Sequence, residues 1–308
     1  MADIAAIGEL LIDFSPLPGG AMMPNPGGAP CNFLAAASCF GSSAAFIGKV
    51  GNDAFGRTLA ETMKAANVDT RGLLIDDDSF TTLAFVTIDE TGDRSFSFAR
   101  KPGADQLLRF EEVDTSVIEE CRLFHFCGSL SFTDDPCRTA VKKSVALAKS
   151  LGKIVSFDPN LRPPLWKDLA DAKRELLWGA DNADILKLSE EEAQFLGLGS
   201  PEEILKEHPV KLVMLTKGAE GAVLCNRNAC VSILSPKVDA KDTTGAGDIF
   251  GGAVMHSLLQ LGKQPEDLTE KELRTIGRFA VTAASLSTEK SGGIPSIPAP
   301  EQVKARLD

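Results

Sequence analysis

Short apolar runs alternate with longer amphipathic segments along most of this 308-residue chain, and this alternation limits the fold more than any other feature. The runs are too short for typical helices, whereas "PCRTAVKKSVALAKSLG" (136–152) spaces its apolar residues as a helix does. Buried strands joined by helices form parallel βαβ units. We therefore predict a three-layer α/β/α fold with a mainly parallel central sheet. The predicted strands are 4–14, 44–50, 123–129, 153–158, 183–189, 211–218 and 221–226.

Residues 80–100 follow a different pattern, because apolar and polar residues alternate there on both sides of a Glu-Thr-Gly turn. Such alternation predicts an antiparallel hairpin with one solvated face. A hairpin inside a βα array does not readily join the central sheet, so we expect it to build a small β-sheet lid. We thus predict one domain, 1–308, whose lid comes from about 12–24 and 80–100. A peripheral edge hairpin without a lid role is the alternative.

The composition is that of a soluble globular protein, with 44% hydrophobic and 24% charged residues. The formal net charge is −11 and no run of Lys or Arg stands out, which argues against a nucleic-acid partner. The sequence has no basic leader, cleavage site or membrane-length apolar run, so we expect a cytoplasmic protein that does not bind membranes. The seven cysteines have no CxxC spacing, and we interpret them as buried, reduced thiols.

The segment "DTTGAGDIFGGAVM" (242–255) places three small residues where an apolar helical pattern begins. Glycine is a poor helix former, so something must approach the backbone closely here or the chain must turn sharply. The first N–H groups of a helix lack carbonyl partners and carry the positive end of the helix dipole. Residues 245–247 are therefore predicted to form an anion hole, with Thr243 or Thr244 capping the helix and Gly262 ending it.

Asp248 lies in the first turn of this helix, where its carboxylate can take a proton from a hydroxyl held beside the same anion. The helix dipole is expected to lower its pKa and make it a weak base. Phosphoryl transfer tolerates a weak base, because it depends more on positioning than on basicity. The alternative is an aspartate that only caps the helix. The sequence contains neither GxxxxGK[ST] nor HExxH, which argues against a P-loop and against a zinc site of that type.

Two long motifs resemble the signatures of the ribokinase/PfkB carbohydrate kinase family. Residues 242–255 are similar to the C-terminal signature, and "GGAPCNFLAAASCFGSSAAFIGKVGNDAFG" (27–56) is similar to the N-terminal one. The resemblance spans essentially the whole chain. It implies a ribokinase-like fold and an ATP-dependent sugar kinase that uses Mg²⁺ and, as in many members, a monovalent cation such as K⁺.

The resemblance also implies the phosphate and sugar contacts. It makes Asp248 the catalytic base for a sugar hydroxyl and puts Gly245, Ala246 and Gly247 around the γ-phosphate. Glycines let the backbone approach sugar hydroxyls, and amide and carboxylate side chains bind them. Taken without the resemblance, the glycines are also consistent with an ordinary turn and the first carboxylate with a loop aspartate. The sugar contacts implied are Asp13, Gly27, Gly28 and Asn32.

Two further segments supply the implied nucleotide contacts. "LTKGAEGAVL" (215–224) resembles the family's nucleotide loop, and "DILKLSEEE" (184–192) resembles its Asn-x-x-Glu element with Ser189 in the Asn position. The sequence "SEEE" is equally a capping box for the next helix, and both readings stay open. The contacts implied for ATP are Lys187, Glu192, Thr216, Gly218 and Gly221, besides Gly245 and Gly247.

The resemblance implies a monovalent-cation site next to the anion hole. Asp242 and Thr244 match one half of it, and Gly292 and Ser296 in "KSGGIPS" supply the other half. Lid hairpins in this family often pair across a dimer axis. The apolar alternation of residues 82–98 is compatible with a homodimer formed through the lid.

Two arginines bear on the acceptor, Arg100 at the end of the hairpin and Arg162 in "FDPNLRPPLW". An arginine forks hydroxyls or a carboxylate, although each of these is also consistent with a surface arginine in a loop. Keto-acid kinases of the family set tyrosines near the first arginine, whereas this chain has no tyrosine and carries Phe98 there. "RKPGADQLL" (100–108) resembles the fructokinase segment, so phosphorylation of D-fructose at its 6-hydroxyl is expected. 2-Keto-3-deoxygluconate, ribose or a nucleoside as acceptor, or a non-catalytic sugar sensor, are the alternatives.

Overall fold

The structure is a computed structural model that describes residues 2–88 and 94–307. Within these residues the strands are β1 (Ile4–Ile7), β2 (Leu11–Pro16), β3 (Met22–Gly27), β4 (Ala44–Gly51), β5 (Val68–Asp76), β6 (Leu83–Ile88), β7 (Arg94–Ala99), β8 (Leu123–Cys127), β9 (Ile154–Asp158), β10 (Ile185–Ser189), β11 (Leu212–Thr216), β12 (Ala222–Asn226) and β13 (Cys230–Ile233). The α-helices are α1 (Ala29–Cys39), α2 (Ala54–Ala65), α3 (Thr115–Glu120), α4 (Cys137–Ser150), α5 (Leu169–Asp181), α6 (Glu190–Leu196), α7 (Pro201–Glu207), α8 (Ala246–Leu261), α9 (Glu270–Ser287) and α10 (Pro300–Leu307).

The central sheet has the strand order β13-β12-β11-β10-β9-β8-β1-β4-β5 in the described part of the chain. The seven strands from β11 to β5 are mutually parallel, and β12 and β13 add an antiparallel hairpin at one edge. The predicted mainly parallel sheet is thus confirmed. The sequence prediction missed β5 and β13, because these two edge strands keep exposed side chains and do not form continuous apolar runs.

Helices cover both faces of the central sheet. Successive strand residues point to opposite faces. In β1, Ile4 and Ala6 join the core under α1, α2, α8, α9 and α10, whereas Ala5 and Ile7 join the core under α3 to α7. The three-layer α/β/α fold is therefore confirmed. Among the helices of residues 2–88 and 94–307, none has the length and apolar character that a membrane crossing requires.

A second sheet, of order β3-β2-β6-β7, is built from both predicted lid segments. β2 pairs antiparallel with β3 and parallel with β6, and β6 pairs antiparallel with β7. The strands of the predicted hairpin are confirmed, while its Glu-Thr-Gly turn at 90–92 lies outside the described residues. The action of this sheet as a lid, and the lid boundaries, stay predictions.

The prediction of one strand over 4–14 is wrong, because the chain passes from one sheet to the other within it. β1 ends at Ile7 in the central sheet, and β2 begins at Leu11 in the second sheet. Glu9, between them, is buried. Both sides of the crossing are buried, so hydrophobicity alone does not reveal the break.

Helix α8 begins at Ala246 and is followed by Gly262 in the left-handed conformation, as the sequence predicts. Its N-cap is Gly245, whose φ of 77° favours glycine over residues with a side chain. The expected threonine cap is wrong, because Thr244 Oγ1 donates to Asp242 Oδ1 at 2.6 Å and no side chain of the described residues caps the helix. The first N–H groups of α8 are therefore left to the backbone and to ligands.

The interpretation of all seven cysteines as buried, reduced thiols is corrected for three of them. Cys225 and Cys230 form a disulfide, because the β12–β13 register puts them directly opposite each other. Cys39 is a free but exposed thiol. The free, buried cysteines are Cys31, Cys121, Cys127 and Cys137.

Candidate active site

The segments that carry the predicted site residues meet at the carboxyl-terminal edge of the central sheet. β4 and β5 lie on one side of β1, and β8 to β11 lie on the other, so the strand order reverses between β1 and β8. Open α/β sheets bind ligands at such a reversal, outside the carboxyl ends of the strands. Residues of α1, of β10 and of the segment after β9 meet the start of α8 in this region.

Asp248 is held between two amide side chains. Asn32 Nδ2 donates to Asp248 Oδ2 at 2.9 Å, and Asn160 Nδ2 donates to Asp248 Oδ1 at 3.4 Å. Both asparagines are buried, so their bonds fix the plane of the carboxylate. Each carboxylate oxygen has a second lone pair with which it can accept a hydroxyl proton.

The pKa of Asp248 is raised to about 7, which contradicts the expectation that the helix dipole lowers it. Burial is the largest cause, and the negative charge of Asp158 adds to it. The bond from Asn32 and the charges of Lys187 and Arg162 act in the opposite direction. Burial disfavours the ionised form of a carboxyl group, and here it outweighs the helix start. A carboxylate with this pKa is well matched to general-base work near neutral pH.

Lys187 brings a buried positive charge to the start of α8. Its Nζ lies 2.8 Å from Asp158 Oδ2, and a Cβ added to Gly247 would lie 3.0 Å from the same Nζ. Burial acts against ionisation, but the charges of Asp158 and Glu192 raise the pKa of Lys187 above its ordinary value. The ammonium group is thus protonated beside the backbone at 247, where it is able to bind an anion.

Sequence reasoning did not identify Asp158 and Asn160. Asp158 ends β9 and pairs with Lys187, and its Oδ1 accepts the backbone N–H of Asn160 at 3.0 Å. Asn160 has a φ of 39°, which asparagine adopts more readily than most residues. The signal was present as Asp-Pro-Asn directly after an apolar run, a turn sequence that puts polar side chains at a strand end.

The charge of Arg162 acts on two carboxyl groups of the predicted site, those of Asp13 and Asp248. Burial raises the pKa of Asp13 to about 7, and the charge of Arg162 opposes this shift. The same arginine acts on the pKa of Asp248, so it is close enough to influence both carboxyl groups. The positive charge of Arg162 thus favours the ionised form of both carboxyl groups.

Gly27 and Gly28 form the turn between β3 and α1, and the surrounding chain leaves no room for a side chain there. A Cβ on Gly27 would collide with Asp13 Oδ2, and one on Gly28, whose φ is 116°, would lie 2.6 Å from the carbonyl oxygen of Glu9. The N–H of Asn32 donates to the carbonyl of Gly28 at 3.0 Å. These contacts link the glycine turn to Asp13 on one side and to Asn32 on the other.

Arg100, in contrast, is directed toward protein groups. Its Nε donates to Asp105 Oδ2, its Nη1 to Thr133 Oγ1 and its Nη2 to the carbonyl of Leu130, each at 2.8 Å. The side chain is buried, and its Nη2 also lies 2.7 Å from Asp105 Oδ2. A buried ion pair thus holds the guanidinium of Arg100, and its contact with the sugar stays a prediction.

A groove of about 560 Å³ ends at the start of α8. This volume is in the range of small-molecule sites. Phe250, Val281 and Ala284 contribute apolar side chains to the groove, and Ala246 and Gly247 at the helix start line it as well. The predicted nucleotide-loop residues Thr216, Gly218 and Gly221 line the same groove. The arrangement suits a planar base along the groove and an anionic end at the helix start.

Glu192 serves as the third residue of a capping box for α6. Its Oε2 accepts the backbone N–H of Ser189 at 2.8 Å, and the Ser189 hydroxyl accepts the N–H of Glu192 at 3.2 Å. Its Oε1 accepts the N–H of Leu161 at 2.9 Å. The capping-box reading is confirmed, and it holds Glu192 close enough to Lys187 to affect that pKa. A role of Glu192 toward ATP stays a prediction.

The two halves of the implied cation site are adjacent. Asp242 Oδ1 accepts the N–H of Thr244, and Asp242 Oδ2 accepts the N–H of Gly292, each at 3.0 Å. Ser296, on the following turn, donates its hydroxyl to the carbonyl of Gly293 at 2.7 Å. Asp242 therefore ties together the two loops that the resemblance assigned to the cation.

The fold and the site together define a phosphotransferase with an alcohol acceptor. A groove ends at an anion-binding helix start, and a carboxyl group with a pKa near neutrality stands beside that start. A profile of the family described as "pfkB family carbohydrate kinase" matches residues 1–300. The chain belongs to this family of carbohydrate kinases.

Several fructokinases are similar to this chain over almost its whole length. Fructokinase-1 of Zea mays is 40% identical over 313 residues, which cover 97% of this chain and 96% of that protein. The crystal structure of a fructokinase with bound ATP from Xylella fastidiosa superposes with a TM-score of 0.91 at 30% identity, covering 99% and 98% of the two chains. A fructokinase double mutant from Vibrio cholerae O395, bound to fructose, ADP and potassium ion, gives a TM-score of 0.90 at 31% identity, covering 100% and 99%.

Proposed function

We propose that this protein is a fructokinase that transfers the γ-phosphoryl group of ATP to the 6-hydroxyl of D-fructose. The observation that carries the proposal is the position of Asp248, a carboxyl group with a pKa of about 7 at the glycine-lined start of α8. Full-length similarity to fructokinases from a plant and from two bacteria supports the choice of fructose. The 6-hydroxyl rests on the resemblance alone.

The proposed step begins with fructose between Asp13, Asn32 and Arg162, its 6-hydroxyl against Asp248. ATP lies in the groove with its γ-phosphate at residues 245–247. The oxygen of the sugar hydroxyl attacks the γ-phosphorus, its proton passes to a carboxylate oxygen of Asp248, and ADP leaves. Backbone N–H groups and the ammonium of Lys187 stabilise the charge on the phosphoryl oxygens. The two amides that hold Asp248 keep its oxygen in line for the proton.

The residues present fit the ions that such a reaction uses. Mg²⁺ prefers oxygen ligands and retains several waters, so the carboxylates of Glu192 and Asp158 suit contacts through water near the phosphates. Both carboxylates already accept a bond from a backbone N–H, which favours water-mediated over direct ligation. When bound, Mg²⁺ neutralises phosphate charge. Oxygen atoms of Asp242, Thr244, Gly292 and Ser296 suit K⁺ beside the same helix start.

The second sheet is proposed to act as the lid of this site. β2 carries Asp13 and pairs with β6, so the sugar contact and the hairpin belong to one sheet. Closure of the sheet over the sugar would exclude water and favour transfer over hydrolysis of ATP. We further propose a homodimer formed through the lid and a cytoplasmic location, for both of which the support is the sequence alone.

A panel of acceptors tests the proposed function. The purified protein is given MgATP and fructose, 2-keto-3-deoxygluconate, ribose or adenosine, and both ADP and the phosphorylated acceptor are measured. Fructose is expected to give the highest kcat/KM and one phosphorylated sugar per ADP. A higher kcat/KM with another acceptor would move the proposal to that acceptor. No turnover with any of them would leave a sensor in place of an enzyme.

A further inference from the structure

The chain passes between the second sheet and the rest of the protein at four places. These crossings are the segments between β1 and β2, β3 and α1, β5 and β6, and β7 and α3. Polar or charged side chains that are almost fully buried occur at three of them. Among them are Glu9 at 1% exposure, Thr82 at 1%, Arg100 at 7% and Asp105 at 3%. Burial of such groups is unfavourable unless they are bonded, so their partners decide what they do.

Glu9 connects the first two crossings to the segment after β8. Its Oε1 accepts the hydroxyl of Ser129 at 2.6 Å and the N–H of Ala29 at 3.3 Å. Ala29 directly follows the glycine turn that leaves β3, and the carbonyl of Glu9 lies under Gly28. One buried carboxyl group thus holds two crossings together and ties them to Ser129.

The ion pair of Arg100 and Asp105 connects the other two crossings to each other and to the segment after β8. The hydroxyl of Thr82, which precedes β6, donates to Asp105 Oδ1. The guanidinium of Arg100, which follows β7, bonds the other oxygen of Asp105. Its remaining bonds go to Thr133 and to the carbonyl of Leu130. The third and fourth crossings are thus joined to each other and to the segment after β8.

We propose that residues 129–133, directly after β8, anchor the second sheet at all four crossings, and that Arg100 and Asp105 are positioning residues for the sugar. The inference rests on the proposed function and assigns Arg100 a role other than direct sugar contact. Arg100 acts on the sugar indirectly, because it holds in place the sheet that carries Asp13. Because β8 borders the reversal point beside β1, the anchor lies next to the part of the central sheet where such folds bind ligands.

The test uses substitutions of the partners of Arg100 that preserve the shape of the side chain. Asp105→Asn and Thr133→Val, alone and together, are assayed for kcat, for the KM of fructose and ATP, and for the ratio of ADP to sugar phosphate. Each single variant is expected to raise the KM of fructose about tenfold, as for a lost buried hydrogen bond. The KM of ATP should change little. The ratio should rise above one, because a misplaced sheet admits water. The two changes should be non-additive, since both act through Arg100.

Asp184→Asn is the matched control. Asp184 pairs with Lys211 at 3.2 Å and accepts the N–H of Val155, at the opposite edge of the central sheet. It should lower Tm without altering the KM of fructose or the product ratio. If the partner variants behave like this control, their role is structural and the inference is overturned. It is also overturned if Arg100→Lys alone raises the KM of fructose while both partner variants keep the wild-type value, because Arg100 would then contact the sugar.

Hydrogen–deuterium exchange separates this inference from the proposed function. In Asp105→Asn, faster amide exchange is expected in the described strands β2, β3 and β6 and not in the central sheet. Exchange that rises uniformly would contradict the anchor. This readout needs no turnover, so a wild-type protein that failed to phosphorylate fructose would overturn the proposed function while the anchor was still decided.

Discussion

Asp248 stands between Asn32 and Asn160, and the two amides prepare it to receive a proton. Replacement by asparagine keeps the size of the side chain and removes the base. We predict that Asp248→Asn lowers kcat by roughly 10²–10⁴, the usual contribution of a general base, and leaves the KM of fructose almost unchanged. A coupled ADP assay measures both. Turnover near the wild-type rate would remove Asp248 from the base role.

The pH dependence of kcat/KM reports the protonation of the same group. Burial raises the pKa of Asp248 to about 7, and only the ionised form accepts a proton, so kcat/KM should increase as pH rises through about 7. Burial also raises the pKa of Asp13 to about 7, so two groups titrate together. Asp13→Asn separates them. The acidic limb should persist in that variant, and a flat profile down to pH 5 in the wild type would contradict the assignment.

At the residue scale, the sequence identified site residues that lie in local motifs. It did not reveal properties that depend on residues distant in the chain. Asp248 and Asn32 lie in recognisable motifs, and the structure brings them into contact. The pKa of Asp248 was mispredicted because the helix dipole is local, whereas burial and Asp158 come from the tertiary fold. The sequence likewise does not reveal the buried bond from Arg100 to Asp105, which depends on the folded chain.

At the scale of one element, a substitution at the start of α8 is expected to lower activity without lowering thermal stability. Alanine is a better helix former than glycine by roughly 0.5–1 kcal/mol, so Gly247→Ala should not lower Tm. Its methyl group would lie 3.0 Å from Lys187 Nζ, in the space assigned to the phosphate. The backbone N–H is retained, but the methyl group displaces the phosphate from it, so we predict that kcat falls on the order of 10²-fold, as much as when an oxyanion donor is lost. Gly262→Asn, at the other end of the helix, is the control and should retain full activity.

The elements themselves were predictable where their burial is simple. Strands buried on both faces, such as β9 and β11, appear in the sequence as short apolar runs, and the alternation of the hairpin revealed β6 and β7. The prediction of one strand over 4–14 is wrong because the residues on both sides of the crossing at Glu9 are buried, as they are in a strand. The prediction of a threonine cap for α8 is wrong because the hydroxyl of Thr244 donates to Asp242 and does not bond the helix.

At the scale of the whole molecule, the alternation of strands and helices was sufficient for the layered fold, but not for the way the two sheets are joined. The order of strands beyond each βα unit comes from packing between segments far apart in the chain. The meeting of Asn32, Asn160 and Asp248 is a product of that order. Motif similarity supplied part of this set, and the folded chain added the rest.

The structure of a complex with fructose and a non-hydrolysable ATP analogue tests the central claim most directly. We expect the γ-phosphorus to lie against the backbone of residues 245–247, with the 6-hydroxyl of fructose in line and hydrogen-bonded to Asp248. Lys187 should contact a phosphate oxygen. A terminal phosphate bound away from the start of α8, or a sugar with no hydroxyl within hydrogen-bonding distance of Asp248, would contradict it.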